Sequence, residues 1–178
     1  MTNETQPLTT ANRPVRRRNR CLTQEEALEV LLATDHAVLS TVDAAGIPYG
    51  VPVSPVYVDG KIYFHGLSLA GGRRADNIAA NPNVSLCFIQ KQTTLQEHYS
   101  VDYASAIVSG RAHRVTDPGE CQMALEALCR RHCPDRPVEE WRAEIRKHAK
   151  ATGVWRIDID SITGKSRAGS RVKKPAAA

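Results

Sequence analysis

Apolar and polar residues alternate over short runs along most of this chain, and Gly, Pro, Asn and Asp punctuate the runs. Alternation with a period of two marks strands that bury one face. Residues 36–42 and 47–53 fit that pattern, joined by Asp43-Ala-Ala-Gly46 as a hairpin loop. Val56-Tyr-Val58, Asp59-Gly60 and Lys61-Ile-Tyr-Phe-His65 spell a second hairpin, because Asp-Gly suits a tight turn with positive φ at both central positions. Further strands are predicted at 84–90, 105–115 and 153–162, the last setting Trp155, Ile157 and Ile159 against Val154, Arg156, Asp158 and Asp160. Pro48, Pro52 and Pro55 make the second run an edge, bent or bulged strand, since proline cannot donate to a ladder.

Helical spacing interrupts the strands in four places. Thr23 and Glu26 form a capping box ahead of Leu28, Leu31 and Leu32, which predicts a helix over 23–33. A short helix over 72–80 ends at Asn81-Pro82. Asp117-Pro118 opens a helix that runs to about residue 133, and Pro137 opens another over 138–150 that is polar on most faces. Residues 91–103 read as a polar connection, and the chain is expected to fray from Gly164. Helices inserted at irregular intervals argue against a doubly wound parallel sheet. They favour a mainly β architecture, an antiparallel barrel or sheet with peripheral helices.

A chain of 178 residues is one ordinary domain. It has no apolar run long enough for a membrane helix, and residues 1–20 lack the apolar stretch of a secretory signal, so a cytoplasmic location is expected. The formal net charge of +5 is unevenly placed. Residues 1–20 carry +4 and residues 165–178 carry +5, which leaves −4 on the segment between them. The expected layout is a disordered basic arm over 1–20, a folded domain over 21–165 and a flexible basic tail over 166–178. Nucleic-acid binding calls for charge on a folded face, so it is not expected. Five cysteines at irregular spacing do not outline a disulfide framework. Cys129, His132 and Cys133 lack the spacing of a common zinc site; Cys121, Leu125, Leu128, Cys129 and His132 read as a helical core stripe, and no metal is expected.

The chemistry concentrates around the second hairpin. A hydrophobic strand delivers His65 and Gly66, the chain loosens through Gly71 and Gly72, and Arg73 and Arg74 enter the first turn of a helix. Glycines admit close backbone approach, free N–H groups at a helix start attract anions, and arginine grips phosphate through paired donors. The pattern points to a phosphorylated ligand beside a strand-end histidine.

Several pieces together carry a resemblance: Val51-Pro-Val-Ser54, Asp59-Gly-Lys-Ile-Tyr-Phe-His65, Asn81-Pro-Asn-Val-Ser-Leu-Cys-Phe88, Tyr99 with Tyr103, Ile107-Val-Ser-Gly-Arg-Ala112, and Ile157-Asp-Ile-Asp-Ser-Ile-Thr-Gly-Lys165. In this order they resemble the flavin-binding split-barrel proteins related to pyridoxamine 5′-phosphate oxidase, and among them the nitroimidazole-resistance (Nim-type) branch. The resemblance implies a six-stranded antiparallel split β-barrel and a homodimer with FMN at its interface. It places Val51, Pro52, Val53 and Ser54 along the flavin, His65 and Gly66 facing it, and Gly72, Arg73 and Arg74 at the phosphate. It makes His65 the catalytic group in reduction of a small nitroaromatic, quinone or similar acceptor with electrons from a reduced nicotinamide. The arginine- and lysine-bearing strand motif and the Arg-x-x-Leu-x-Pro ending of the oxidases proper are not recognisable, which argues against vitamin B6 oxidation. A non-catalytic flavin- or haem-binding module and an F420-dependent reductase are the alternatives.

Overall fold

The computed structural model describes residues 17–67 and 72–167. Most of the two basic termini and the glycine loop at 68–71 lie outside the described residues. Besides short 3-10 turns at Arg18–Arg20 and Gln96–His98, the elements run β1 (Cys21–Leu22), α1 (Gln24–Leu32), β2 (Ala37–Val42), β3 (Pro48–Val53), β4 (Val56–Val58), β5 (Lys61–Leu67), α2 (Arg73–Ala80), β6 (Asn83–Leu95), β7 (Ser100–Arg114), α3 (Pro118–His132), α4 (Val138–His148) and β8 (Thr152–Ser166).

All pairings are antiparallel. The sheet order is β3-β2-β6-β7-β8-β5-β4, with β1 joining β8. The first and last strands of that order are consecutive in the chain, separated only by Ser54 and Pro55. Three residue steps span at most about 11 Å, so the two edges must come together and the sheet must curl. This is the mainly β split barrel with peripheral helices. Its six strands of six residues or more match the expected count, and β1 and β4 are short additions of two and three residues.

Local chemistry accounts for the joints. Thr23 Oγ1 accepts from the Glu26 N–H while the Glu26 carboxylate accepts from the Thr23 N–H, closing the capping box of α1. Asp59 and Gly60 both take positive φ, 47° and 80°, as the β4–β5 turn requires. Asp43 Oδ1 accepts from the N–H groups of Ala45 and Ile47 and holds the β2–β3 loop. Pro48 and Pro52 fall on β3, an edge strand, where a missing donor does least harm.

Inside the barrel, Leu39, Ile62, Phe64, Leu86, Phe88, Val108, Trp155 and Ile157 form the main core, with Ala27, Val30 and Leu31 of α1 packed into it. Phe64 and Trp155 stack with centroids 5.7 Å apart, worth about 0.5–1.5 kcal/mol beyond their burial. A second cluster, Tyr63, Val115, Ala124 and Val154, lies on the outer face of β5 and β8 beneath α3.

Two expectations are corrected. Residues 91–103 are not a loop, for β6 and β7 extend through them as a hairpin whose register pairs Leu95 with Ser100. The expected fraying from Gly164 is absent as far as Ser166, because Gly164 pairs with Ala106 on one side and Leu22 on the other.

Candidate functional site

Strand alternation sorts β5 into two faces. Ile62 and Phe64 point into the barrel, while Tyr63 belongs to the outer cluster under α3, and His65 follows Tyr63 on that outer side. Gly66 returns to the inner face beside Phe64. A Cβ on Gly66 would collide with the Arg74 guanidinium, so the missing side chain is what lets Arg74 lie across the end of the barrel. The Arg74 guanidinium carbon sits 5.1 Å from the Phe64 ring centroid and 4.9 Å from that of Trp155. Cation–π contact of this kind contributes about 0.5–1 kcal/mol at exposed sites and more when desolvated, and here it is set against the cost of burying an unpaired guanidinium.

The position of α2 is fixed by a buried polar chain. Asn77 Nδ2 donates to Thr41 Oγ1 at 2.9 Å, and Thr41 Oγ1 donates to the Tyr49 carbonyl at 3.3 Å. Helix, β2 and β3 are thereby linked, and the first turn of α2 is aimed at the barrel mouth. Gly72 supplies no side-chain cap, so the leading N–H groups of α2 have no side chain of their own to bond. Arg73 stacks over Tyr49 at 4.6 Å.

Arg74, His65 and His36 border a cavity of about 380 Å³ together with Pro52, Val53 and Ser54. Arg74 makes no ion pair with an acid among the described residues, and its buried Nε has no hydrogen-bond partner. Burial lowers its pKa from the usual guanidinium range, yet a guanidinium stays protonated. His65 is exposed by area, yet close enough to its neighbours to lose part of its hydration. Desolvation first, then the nearby Arg74 and His132 charges, push it below its usual 6.5. The cavity is therefore electropositive, and its surroundings favour the neutral form of His65. An uncompensated half-buried cation beside a helix start is suited to an anion.

Ser54 and His65 also border a second cavity of about 380 Å³, on the outer side under α3 and α4. His132 faces it, and its Nε2 lies 3.2 Å from the Pro55 carbonyl.

Residues 23–166 match the sequence profile described as pyridoxamine 5′-phosphate oxidase. The chain belongs to that family. A search of curated proteins finds no match. Among solved structures, a candidate 5-nitroimidazole antibiotic resistance protein from Bacteroides thetaiotaomicron superposes with a TM-score of 0.64 at 22% identity, covering 82% of this chain and 85% of that one. The flavocytochrome Anf3 of Azotobacter vinelandii gives 0.71 at 20% identity, over 90% and 75% of the two chains. An FAD and haem binding protein from Mycobacterium smegmatis gives 0.67 at 23% identity, over 89% and 77%. At these identities the likeness is one of fold.

Within this family fold, the structure gathers Pro52, Val53, Ser54, His65 and Arg74 around one cavity, with Gly66 under the arginine. Val51 instead packs against the main core, Arg73 turns to Tyr49, and Gly72 caps α2 in open space. Tyr99 is fully exposed at the tip of the β6–β7 hairpin, and neither it nor Tyr103 borders either cavity. The sequence reading missed His36. It also placed Cys129 and His132 in a core stripe, whereas they line the outer cavity. No helix among the described residues is long and apolar enough to cross a membrane.

Proposed function

We propose that the chain is a flavin-dependent oxidoreductase that holds FMN by its phosphate at Arg74 and passes electrons from a reduced nicotinamide to a small organic acceptor. The observation that carries this reading is Arg74, a half-buried guanidinium with an orphaned Nε and no acid partner among the described residues, set beside His65 and the bent edge strand. The family and the flavin-binding solved structures with this fold support the same cofactor class. When bound, a flavin supplies the hydride chemistry.

The protein's own groups then have distinct tasks. Arg74 and the uncapped N–H groups of α2 hold the phosphate. Pro48 and Pro52 remove donors from the β3 edge, and Ser54, just past it, lines the cavity. A phosphate dianion would offset the Arg74 charge, which after burial is the next cause of the low His65 pKa, and so would act to raise it. His65 is then the group placed to give a proton to a reduced acceptor.

The reading includes a homodimer. On the outer face of β2, β6 and β7, register aligns Pro52, Val38, Cys87 and Ile107 in one cross-strand row, with Val38 42% and Ile107 37% exposed. The row begins at a residue of the first cavity, so a second copy seated on it covers that cavity.

Protein purified without added cofactor should show a flavin absorption spectrum, or take up FMN stoichiometrically, and bleach when NADPH is added anaerobically. A haem spectrum, or no uptake of FMN, overturns the reading.

A further inference from the structure

The outer cavity and the first cavity share Ser54 and His65 but differ in chemistry. Among the described residues, the first has a cation without an ion pair and no acid on its wall. The second is walled by Leu125, Leu128, Cys129, Trp141 and Ile145, and each of its own charged groups is already engaged. His132 Nε2 is spent on the Pro55 carbonyl at 3.2 Å, and Glu144 pairs with His148 at 3.2 Å and Lys147 at 3.3 Å. Among the described residues of this wall, the shared Ser54 and His65 are the groups left to meet a ligand's polar atom, and neither brings a fixed positive charge for an anion.

The wall is also held in place. The N-terminal end of α3 is tied to the barrel by Glu120, which accepts from Tyr63 Oη at 2.9 Å and from Arg156 at 3.2 Å. Its C-terminal end is tied by His132 and by Arg131, whose Nη2 reaches the Leu32 carbonyl at 2.8 Å and Asp35 at 2.9 Å. Helix α4 crosses above, with Trp141 and Ile145 buried and Arg142 bonded to Glu126 of α3 at 3.2 Å. Fixed at both ends, α3 bridges the gap instead of collapsing into it. A preformed apolar cavity of this volume is the usual form of a small-molecule site.

We infer that this outer cavity is the acceptor pocket, and that it selects uncharged molecules built on a single or fused aromatic ring, whose polar group meets His65 at the inner end. The inference rests on the flavin reading for its chemistry but not for its binding. Apolar walls receive the ring, while a charged substituent has to give up its hydration with no partner in return.

The test uses the full-length protein, with and without FMN, and two probes of the same ring, nitrobenzene and 4-nitrobenzoate. Binding is followed by ligand-observed NMR, and FMN binding by fluorescence titration. Nitrobenzene should bind, and 4-nitrobenzoate should bind at least about tenfold more weakly, the effect of desolvating its charge. Cys129→Phe fills the pocket from its wall, and Cys133→Phe does so from an exposed position that leaves the core untouched. Either variant should abolish nitrobenzene binding and leave FMN affinity unchanged. Nitrobenzene that does not bind, that binds both variants as it binds wild type, or that binds no better than 4-nitrobenzoate overturns the inference. If the variants lose nitrobenzene but wild type never takes up FMN, the pocket stands and the flavin reading falls.

Discussion

Two arginines lie on opposite faces of the same pair of strands, at neighbouring register positions, and they are treated in opposite ways. Arg156 faces Tyr63 across β5 and β8 on the outer side. It donates to Glu120 at 3.2 Å and to Asp158 at 3.1 Å, and these bonds raise its pKa. Arg74 lies over the next pair, Phe64 and Trp155, on the inner side. Among the described residues it has two aromatic rings, a glycine gap and no acid partner, and burial lowers its pKa. A cation whose charge is already answered is spent on holding α3 to the barrel. One that is left unanswered at a cavity keeps its field for a ligand.

The sharpest way to break this contrast is to remove each charge in turn. Arg74→Met should weaken FMN binding by about 100-fold or more, roughly 3 kcal/mol, while the melting temperature holds or rises. Arg156→Met should do the reverse, lowering stability in urea by about 1–2 kcal/mol as Glu120 and Asp158 lose their partner, with FMN affinity unchanged. If Arg156→Met lost the cofactor and Arg74→Met did not, the assignment of roles would be inverted. Gly66→Ala is milder, because the new methyl displaces only the end of a flexible side chain. It should cost about tenfold in FMN affinity and under about 0.5 kcal/mol in stability.

The smallest effect is on pH dependence. His65 has its folded pKa below 6.5, so between that depressed value and 6.5 the unfolded chain binds a proton that the native state refuses. Stability therefore falls as pH drops through this window and levels off once the native imidazole also protonates. The His65 resonance followed by NMR should titrate at higher pH in Arg74→Met, and also in wild type with saturating inorganic phosphate. No movement in either case would mean that Arg74 does not sense the cavity.

What could be read from the sequence was what neighbours in the chain decide. The capping box of α1 and the Asp59-Gly60 turn are complete within a few residues, and both were legible. His65, Gly66 and Arg74 were legible because a strand, a glycine run and a helix start follow one another directly. The β6–β7 extension was hidden because Thr93, Thr94, Ser100 and Asp102 are polar on both faces, so alternation fades where the hairpin leaves the core. The Asn77–Thr41 link and the approach of His36 to Arg74 depend on which strands become neighbours, and no local pattern records that. His132 was misplaced for a different reason. Helical spacing tells which face turns inward, but not whether that face meets packed side chains or an empty pocket.

Strand β8 pairs with β1, β5 and β7 at once, yet it follows all three in the chain. During synthesis, β5 and β7 emerge with their inner edges unsatisfied and wait there until residues 152–166 clear the ribosome. Edges left open in this way are templates for wrong pairing. Closure of this barrel must therefore be late and essentially all at once, and a nascent chain stalled before β8 is a natural client for chaperones.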